Sequence, residues 1–137
     1  MNDLTQSAMS RKIGACRETF EVLSADGAGA LLKGAARYRF PADFAGFDGH
    51  FPGDPLLPGV LMVAMALQTA AALLGRPVLL TGIRRAKYFR RVLPEMTVET
   101  AVTAEVAGDG VTLGVTVYFP GETSATVAKL QLKGVLS

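Results

Sequence analysis

The feature that most constrains the fold is an apolar segment bounded by two helix-boundary signals. It starts after Pro58 and Gly59, runs through eight consecutive apolar residues at 60–67, and reaches Gly75 and Pro77. Proline is favoured in the first turn of a helix, and glycine followed by proline commonly ends one. A helix that is apolar on every side must be buried on every side. The segment therefore predicts one central helix that other elements surround.

Alternation of apolar and polar residues predicts strands in the C-terminal half of the chain. Apolar residues, with Thr100 as the exception, recur at every second position in three segments, at 98–106, 111–119 and 128–132. Gly-Asp-Gly and Pro-Gly sequences separate these segments, so they predict an antiparallel meander. Further strands are predicted at 18–24, at 30–40 and at 78–92, the last ending before Pro94.

One helix and about six strands predict an α+β domain in which a long antiparallel sheet wraps around the helix. A single curved sheet covers only part of a helix that is apolar all round. A second copy of the chain is the simplest cover for the remainder, so the helix predicts a dimer. We expect one domain over residues 1–137, with residues 1–10 flexible.

Composition narrows the functional class. Half of the 137 residues are hydrophobic and 19% are charged, which is typical of a folded globular protein. The net charge of +2 is too small to indicate nucleic-acid binding. One histidine and one cysteine argue against a zinc site and a disulfide framework. Residues 1–10 do not have the composition of a basic leader, and no apolar run approaches the ~20 residues that span a bilayer, so we expect no signal peptide and no membrane span. We expect a cytoplasmic protein.

The only histidine, His50, stands in a Gly- and Pro-rich loop nine residues before Gly59. Backbone N–H groups at a helix N-terminus lack partners within the helix and carry partial positive charge. Pro58 has no N–H, so Gly59 supplies a leading free donor, and glycine permits close approach. Such a donor can stabilise a carbonyl oxygen while a base removes the neighbouring proton. The same sequence is also explained if His50 is a structural residue of a turn that only forms hydrogen bonds.

Residues 49–61, GHFPGDPLLPGVL, closely resemble the signature of 3-hydroxyacyl-acyl-carrier-protein dehydratases of the FabZ/FabA type. A looser similarity continues through Gly82, residues 86–90 and Pro94. The resemblance implies the hot-dog fold, an active site between two subunits and a hydro-lyase of fatty-acid or related acyl-chain biosynthesis. It covers residues from about Tyr38 to Val135.

The resemblance also implies residue roles. His50 would take the proton from C2 of a 3-hydroxyacyl thioester, and the Gly59 N–H would polarise the thioester carbonyl, giving a trans-2-enoyl thioester. It implies no metal and no redox cofactor. The acyl chain would arrive on the phosphopantetheine arm of an acyl carrier protein, with a coenzyme A thioester as the other possible substrate.

The family's helix acid is missing. That acid stands fourteen residues after the histidine, a position that Ala64 occupies here. The family's glutamine one turn later is retained as Gln68, which either holds a water molecule or satisfies a buried carbonyl. Asp48 is either a substitute acid or a solvated turn residue, and Asp54 is interpreted as a loop hydrogen-bonder. A positioned general acid contributes roughly 10²–10⁴-fold to rate.

Four interpretations remain open. The chain is a slow dehydratase with a substitute acid, or it needs a second hot-dog subunit that supplies the carboxylate. Alternatively it binds an acyl chain without turning it over, or it is a thioesterase. The thioesterase is disfavoured, because such enzymes typically activate water with a helix carboxylate. Homodimer, heterodimer and higher oligomer are all compatible with the sequence.

Five cations fall within residues 84–91, namely Arg84, Arg85, Lys87, Arg90 and Arg91. Strand alternation predicts that Arg85 and Lys87 face away from Arg84 and Arg90. The cluster is either a docking surface for an acidic carrier protein or a charged, solvated sheet edge. Side chains that either line an acyl tunnel or belong to the core are Phe51, Met62, Met65, Tyr88 and Phe89.

Overall fold

The computed structural model describes residues 8–26, 30–44, 57–121 and 125–137. Within these ranges the elements are α1 (Ala8–Ala15), β1 (Arg17–Ala25), β2 (Leu31–Arg39), α2 (Gly59–Leu74), β3 (Val78–Tyr88), β4 (Thr97–Ala107), β5 (Gly110–Tyr118) and β6 (Thr126–Leu136). The strands form one antiparallel sheet in the order β1-β2-β4-β5-β6-β3. The edges of this sheet are β1 and β3.

The sheet and its central helix confirm the predicted α+β architecture. The meander of β4, β5 and β6 follows the alternation of the sequence, and its turns use glycine in the left-handed region at Gly108 (φ 62°) and Gly121 (φ 84°). The strand predicted at 78–92 ends earlier, at Tyr88. Beyond Tyr88 the regular pairing with β6 stops. The N–H groups of Phe89 and Arg90 both donate hydrogen bonds to the same acceptor, the Val127 carbonyl, over 2.7 and 3.3 Å.

Helix α2 starts and ends where the sequence signals indicate, within one residue. Pro58 is the N-cap residue, with extended backbone angles, and not the first helical residue. At the other end Gly75 adopts φ 71° and donates its N–H to the Ala71 carbonyl over 2.8 Å. A left-handed glycine after the last helical residue is a common way to satisfy the terminal carbonyl groups.

The burial of α2 corrects the argument for a dimer. Residues 62–67 are at most 3% exposed, and elements of the same chain achieve this burial. The premise that a second copy must cover the helix is therefore wrong. Val60, which is 59% exposed, is the exception in the first turn. Any case for a dimer must come from other surfaces.

A second, short helix was not predicted. In α1, Ser10 and Ile13 are buried while Arg11 and Lys12 are exposed. The buried face of the helix therefore comes from two residues within a largely polar segment. Residues 8–10 of the segment expected to be flexible are helical, and residues 1–7 lie outside the described part of the chain. Neither α1 nor α2 is long and apolar enough to cross a membrane.

Candidate active site

The N-terminus of α2 is held by backbone groups and not by a capping side chain. Pro58 makes no side-chain cap, and the first turn of the helix contains no acidic residue. Instead, the Leu61 N–H donates to the Pro58 carbonyl over 3.0 Å, and the Leu57 N–H donates to the Val92 carbonyl over 2.8 Å. The chain that follows β3 therefore fixes the path into the helix.

Tyr88, the last residue of β3, lies directly against Gly59. Its hydroxyl donates a hydrogen bond to the Gly59 carbonyl oxygen over 3.1 Å. A Cβ atom on residue 59 would lie only 2.7 Å from Tyr88 Cζ, closer than real Cβ contacts allow. A side chain at position 59 would therefore have to displace the tyrosine ring that occupies its place.

A cleft opens beside these two residues. Its volume is about 450 Å³, which falls in the range of ligand pockets. Its lining consists of the apolar residues Leu57, Met62 and Phe89, together with Gly59 and Tyr88, while Arg90 and Arg91 add positive charge. The cleft thus offers an apolar surface, a helix N-terminus and two cations in one place.

The tyrosine in this cleft stays protonated at neutral pH. Partial burial raises the pKa of the Tyr88 hydroxyl above its ordinary value of 10.0, because burial disfavours the charged phenolate. The hydroxyl therefore remains a hydrogen-bond donor to the Gly59 carbonyl through the physiological range.

Four of the residues singled out in the sequence fall in a part of the chain that the structure does not describe. His50, Asp48 and Asp54 lie outside the described residues, as does Phe51, so their proposed roles stay predictions. Of the two predicted catalytic residues, Gly59 is the one that the structure describes, and it lines the cleft. Within the described ranges, no three His, Cys, Asp or Glu side chains come together as metal ligands.

Gln68 points towards α1. Its Nε2 donates to the Ser10 carbonyl over 2.9 Å, and its Oε1 lies 3.3 Å from the place where a Gly14 Cβ would be. Ala64 is buried, and neither residue is among those that line the cleft. This position favours the interpretation in which Gln68 satisfies a buried carbonyl.

The basic cluster divides between two surfaces. Arg90 and Arg91 line the cleft, whereas Arg85 and Lys87 line a trough on the outer sheet face with Lys129, and Arg90 also lines a smaller depression beside Lys129. Arg84 also reaches the outer face, so the prediction that it faces away from Arg85 is wrong. The reason is a register shift between Ile83 and Arg85, which makes Arg84 an extra residue in β3 and breaks the alternation.

Sequence reasoning missed two partners in these surfaces. Lys129 lies directly across from Lys87 in the β3–β6 pairing, far from it in the chain. Tyr88 was proposed only as a tunnel or core residue, and its contact with Gly59 spans 29 residues. The local sequence contains no signal for either contact, because both follow from the strand order.

Comparison with known proteins identifies the family. The model of the ApeI-like family, described as ApeI dehydratase, matches residues 33–117, more than half of the chain. The chain belongs to the ApeI-like dehydratase family. Membership agrees with the resemblance carried by residues 49–61, most of which lie outside the described structure.

Curated relatives of this ApeI-like chain include two bacterial proteins named 3-hydroxyacyl-acyl-carrier-protein dehydratase FabZ. The protein from Latilactobacillus sakei is 38% identical over 102 residues, covering 69% of this chain and 73% of the relative. The protein from Ligilactobacillus salivarius is 35% identical over 91 residues, covering 61% and 65%. The matched segment thus spans about two thirds to three quarters of these relatives.

Solved structures show that the fold is the hot-dog fold, as predicted. An uncharacterised protein from Erwinia carotovora matches with TM-score 0.66 and 22% identity, covering 88% of this chain and 94% of that chain. The dehydratase heterocomplex ApeI:P from Xenorhabdus doucetiae matches with TM-score 0.62 and 18% identity, covering 86% and 99%. A putative thioesterase, yhdA, from Lactococcus lactis matches with TM-score 0.64 and 14% identity, covering 88% and 91%. At these identities the likeness concerns the fold alone.

Proposed function

We propose that this chain takes part in the dehydration of 3-hydroxyacyl thioesters, carried on acyl carrier protein, to trans-2-enoyl thioesters. Its membership of a dehydratase family and its FabZ relatives support this reaction. The observation that carries the proposal is the cleft itself. There Gly59, the first residue of α2, lies beside apolar and cationic side chains.

In the proposed mechanism, His50 removes the proton from C2 while the thioester oxygen rests on the Gly59 N–H. The Leu61 N–H donates to the Pro58 carbonyl, and this bond polarises the peptide that carries the Gly59 N–H. Negative charge that develops on the thioester oxygen is then stabilised by a donor fixed before the reaction begins. The 3-hydroxyl leaves as water once it receives a proton, and the C2–C3 double bond forms.

The departing hydroxyl needs a proton, and the described residues that line the cleft include no carboxylic acid to donate it. Ala64 occupies the position of the family's acid and is buried. We infer that a second hot-dog subunit supplies the acid, which is consistent with the heterocomplex named among the structural neighbours. Without it, the histidine and the oxyanion donor would support only slow turnover.

The β3 edge is the surface proposed for contact with that second subunit. β3 is an edge strand of 11 residues that exposes Ile83 and Tyr88, and Phe89, which follows the strand, is exposed as well. A long edge strand with exposed apolar side chains readily pairs with another chain. Val60, exposed in the first turn of α2, lies one residue beyond the Gly59–Tyr88 contact and extends this apolar surface.

The deciding experiment follows enoyl thioester absorbance after mixing the full chain with a 3-hydroxyacyl carrier-protein thioester. We expect slow turnover by the chain alone, and a rise of roughly 10²–10⁴-fold when an acid is restored by Ala64→Glu or by a hot-dog partner that bears it. His50→Ala abolishes the rate in every case. Ala71→Glu, two turns further along the same helix, adds the same charge and serves as the control.

Two results would contradict the proposal. If His50→Ala leaves the rate unchanged, the histidine is not the base. If free thiol appears without enoyl product, the chain is a thioesterase, a chemistry that the same fold also hosts.

A further inference from the structure

The N-terminus of α2 is intrinsically weak. Its first residue is glycine, the residue with the greatest backbone freedom, and it follows a proline that forms no side-chain cap. Caps formed by Ser, Thr, Asp or Asn and acidic residues in the first turn are the usual stabilisers, and the helix has neither. A helix that starts this way should fray at Gly59 unless something outside the helix restrains it.

Tyr88 restrains Gly59 itself through two separate contacts, whereas the Leu57–Val92 hydrogen bond holds the residue before Pro58. The ring tip occupies the space that a side chain of residue 59 would fill, with Cζ, Cε1 and Cε2 all within 3.0 Å of the ideal Cβ position. The hydroxyl then reaches the Gly59 carbonyl oxygen over 3.1 Å. One contact restrains the α-carbon and the other restrains the carbonyl, so both sides of the residue are fixed relative to β3.

We propose that Tyr88 is a positioning residue that holds the Gly59 N–H in the orientation required of the oxyanion donor. The role rests on the proposed function, since it matters for catalysis only if Gly59 is that donor. Tyr88 does not bind the thioester oxygen itself. It acts through Gly59, by contacts that come from outside the helix.

The direction of the Gly59 N–H depends on the plane of the Pro58–Gly59 peptide. The Leu61 N–H donates a hydrogen bond to the Pro58 carbonyl of that peptide. On the other side of the peptide, the Tyr88 hydroxyl donates to the Gly59 carbonyl. A donor that is free to rotate loses part of its transition-state stabilisation, because electrostatic preorganisation requires that the dipole already points at the developing charge. Releasing Tyr88 should therefore lower kcat more than it changes KM.

The experiment compares Tyr88→Phe with the native chain by two independent measurements. Tyr88→Phe keeps the ring and removes the hydrogen bond, and Tyr118→Phe is the matched control because Tyr118 contacts Glu99 on the other sheet face. In ¹⁵N relaxation, we expect the order parameter of the Gly59 amide to fall in Tyr88→Phe only. In the dehydration assay with the acid restored, we expect kcat to fall roughly 2- to 10-fold with KM nearly unchanged.

A second pair of variants tests the steric contact. Gly59→Ala retains the N–H but drives a methyl group into the tyrosine ring, so kcat should fall steeply. In a Tyr88→Ala background the ring is gone, and Gly59→Ala should then cost much less, a non-additivity that marks direct coupling. Equal costs in both backgrounds would overturn the proposed contact.

The two measurements separate the proposals. An unchanged Gly59 order parameter in Tyr88→Phe overturns the positioning role, whatever the enzyme activity. A lowered order parameter with unchanged kcat also overturns it, because the restraint would then have no catalytic consequence. If no preparation dehydrates the substrate, the proposed function fails, and with it the catalytic part of the inference.

Discussion

The side-chain amide of Gln68 donates a hydrogen bond to the backbone carbonyl of Ser10 over 2.9 Å, and it also contacts the Ser10 hydroxyl. Ser10 is 1% exposed, so both of its oxygen atoms depend on partners within the protein. The pair joins α1 to the central helix across 58 residues of sequence. The retained glutamine thus has a structural task that does not require substrate.

Gln68→Ala should lower the free energy of unfolding by about 0.5–1.5 kcal/mol, since it removes the hydrogen bond that joins the central helix to the buried Ser10. In the dehydration assay, protein that remains folded should keep most of its kcat. Chemical denaturation and steady-state kinetics on the same preparation check both expectations. Gln131→Ala, at an exposed position of β6, is the matched control and should change neither. A large kcat loss without loss of stability would instead support a water-holding role for Gln68.

Gly134 is a second position at which packing dictates the residue. A Cβ atom there would lie 2.7 Å from the Leu79 carbonyl oxygen and 2.7 Å from Val78 Cγ1. Because a backbone atom is one of the obstacles, we expect Gly134→Ala to cost about 1–3 kcal/mol of stability by overpacking the β3–β6 pair. Gly114→Ala, where no heavy atom lies within 4 Å, is the control and should be tolerated. Equal melting temperatures for the two variants would contradict this account.

The parts of the fold that follow local periodicity were predictable from the sequence, and those that depend on distant partners were not. Alternation over β4, β5 and β6 and the apolar run of α2 are properties of neighbouring residues. In contrast, the hydrogen bond to Ser10 comes from Gln68, 58 residues away, and the exposed face of Arg84 depends on a bulge in the β3–β6 pairing. The same limit applies to the candidate site. Its glycine is visible in the sequence, whereas the tyrosine that packs against that glycine lies on another element.

The tyrosines should titrate in an unusual range. Burial and the hydrogen bond to the Glu99 carboxylate raise the pKa of Tyr118 to about 12, and the pKa values of Tyr38 and Tyr88 are also raised, first by burial. A raised folded-state pKa means that the stabilisation by the neutral phenol is complete below pH 10 and is lost as the pH rises towards about 12.

Ultraviolet titration of phenolate absorbance checks this expectation. The folded protein should show little ionisation near pH 10, and Tyr118→Phe should remove the component at about 12. It should also weaken the loss of stability between these two pH values. The denatured protein is the control, since all three tyrosines should then ionise near the ordinary value of 10.0. A folded-state step at pH 10 that includes Tyr118 would contradict the Glu99 contact.

The two edges of the sheet should differ in their effect on assembly. Ile83 on β3 is 51% exposed and Val22 on β1 is 56% exposed, so the two side chains are equally available in the single chain. If subunits meet along β3, Ile83→Arg should dissociate the assembly, because a charge buried at an apolar contact is costly. Val22→Arg should leave it intact. Sedimentation velocity measures both, and dissociation by Val22→Arg alone would place the interface on β1.

The division of the basic cluster predicts that its members differ in function. Arg90 and Arg91 line the cleft, so replacing both with alanine should weaken the binding of a carrier-protein substrate and raise its KM with a smaller change in kcat. Arg85 and Lys87 lie on the outer face, and the corresponding pair of alanine variants is the matched control for net charge. Attraction between opposite charges weakens with salt, so the KM of the native chain should rise with ionic strength, and this rise should be smaller in the Arg90/Arg91 variant. A larger effect from the Arg85/Lys87 variant would instead place the carrier protein on the outer face of the sheet, against Lys129.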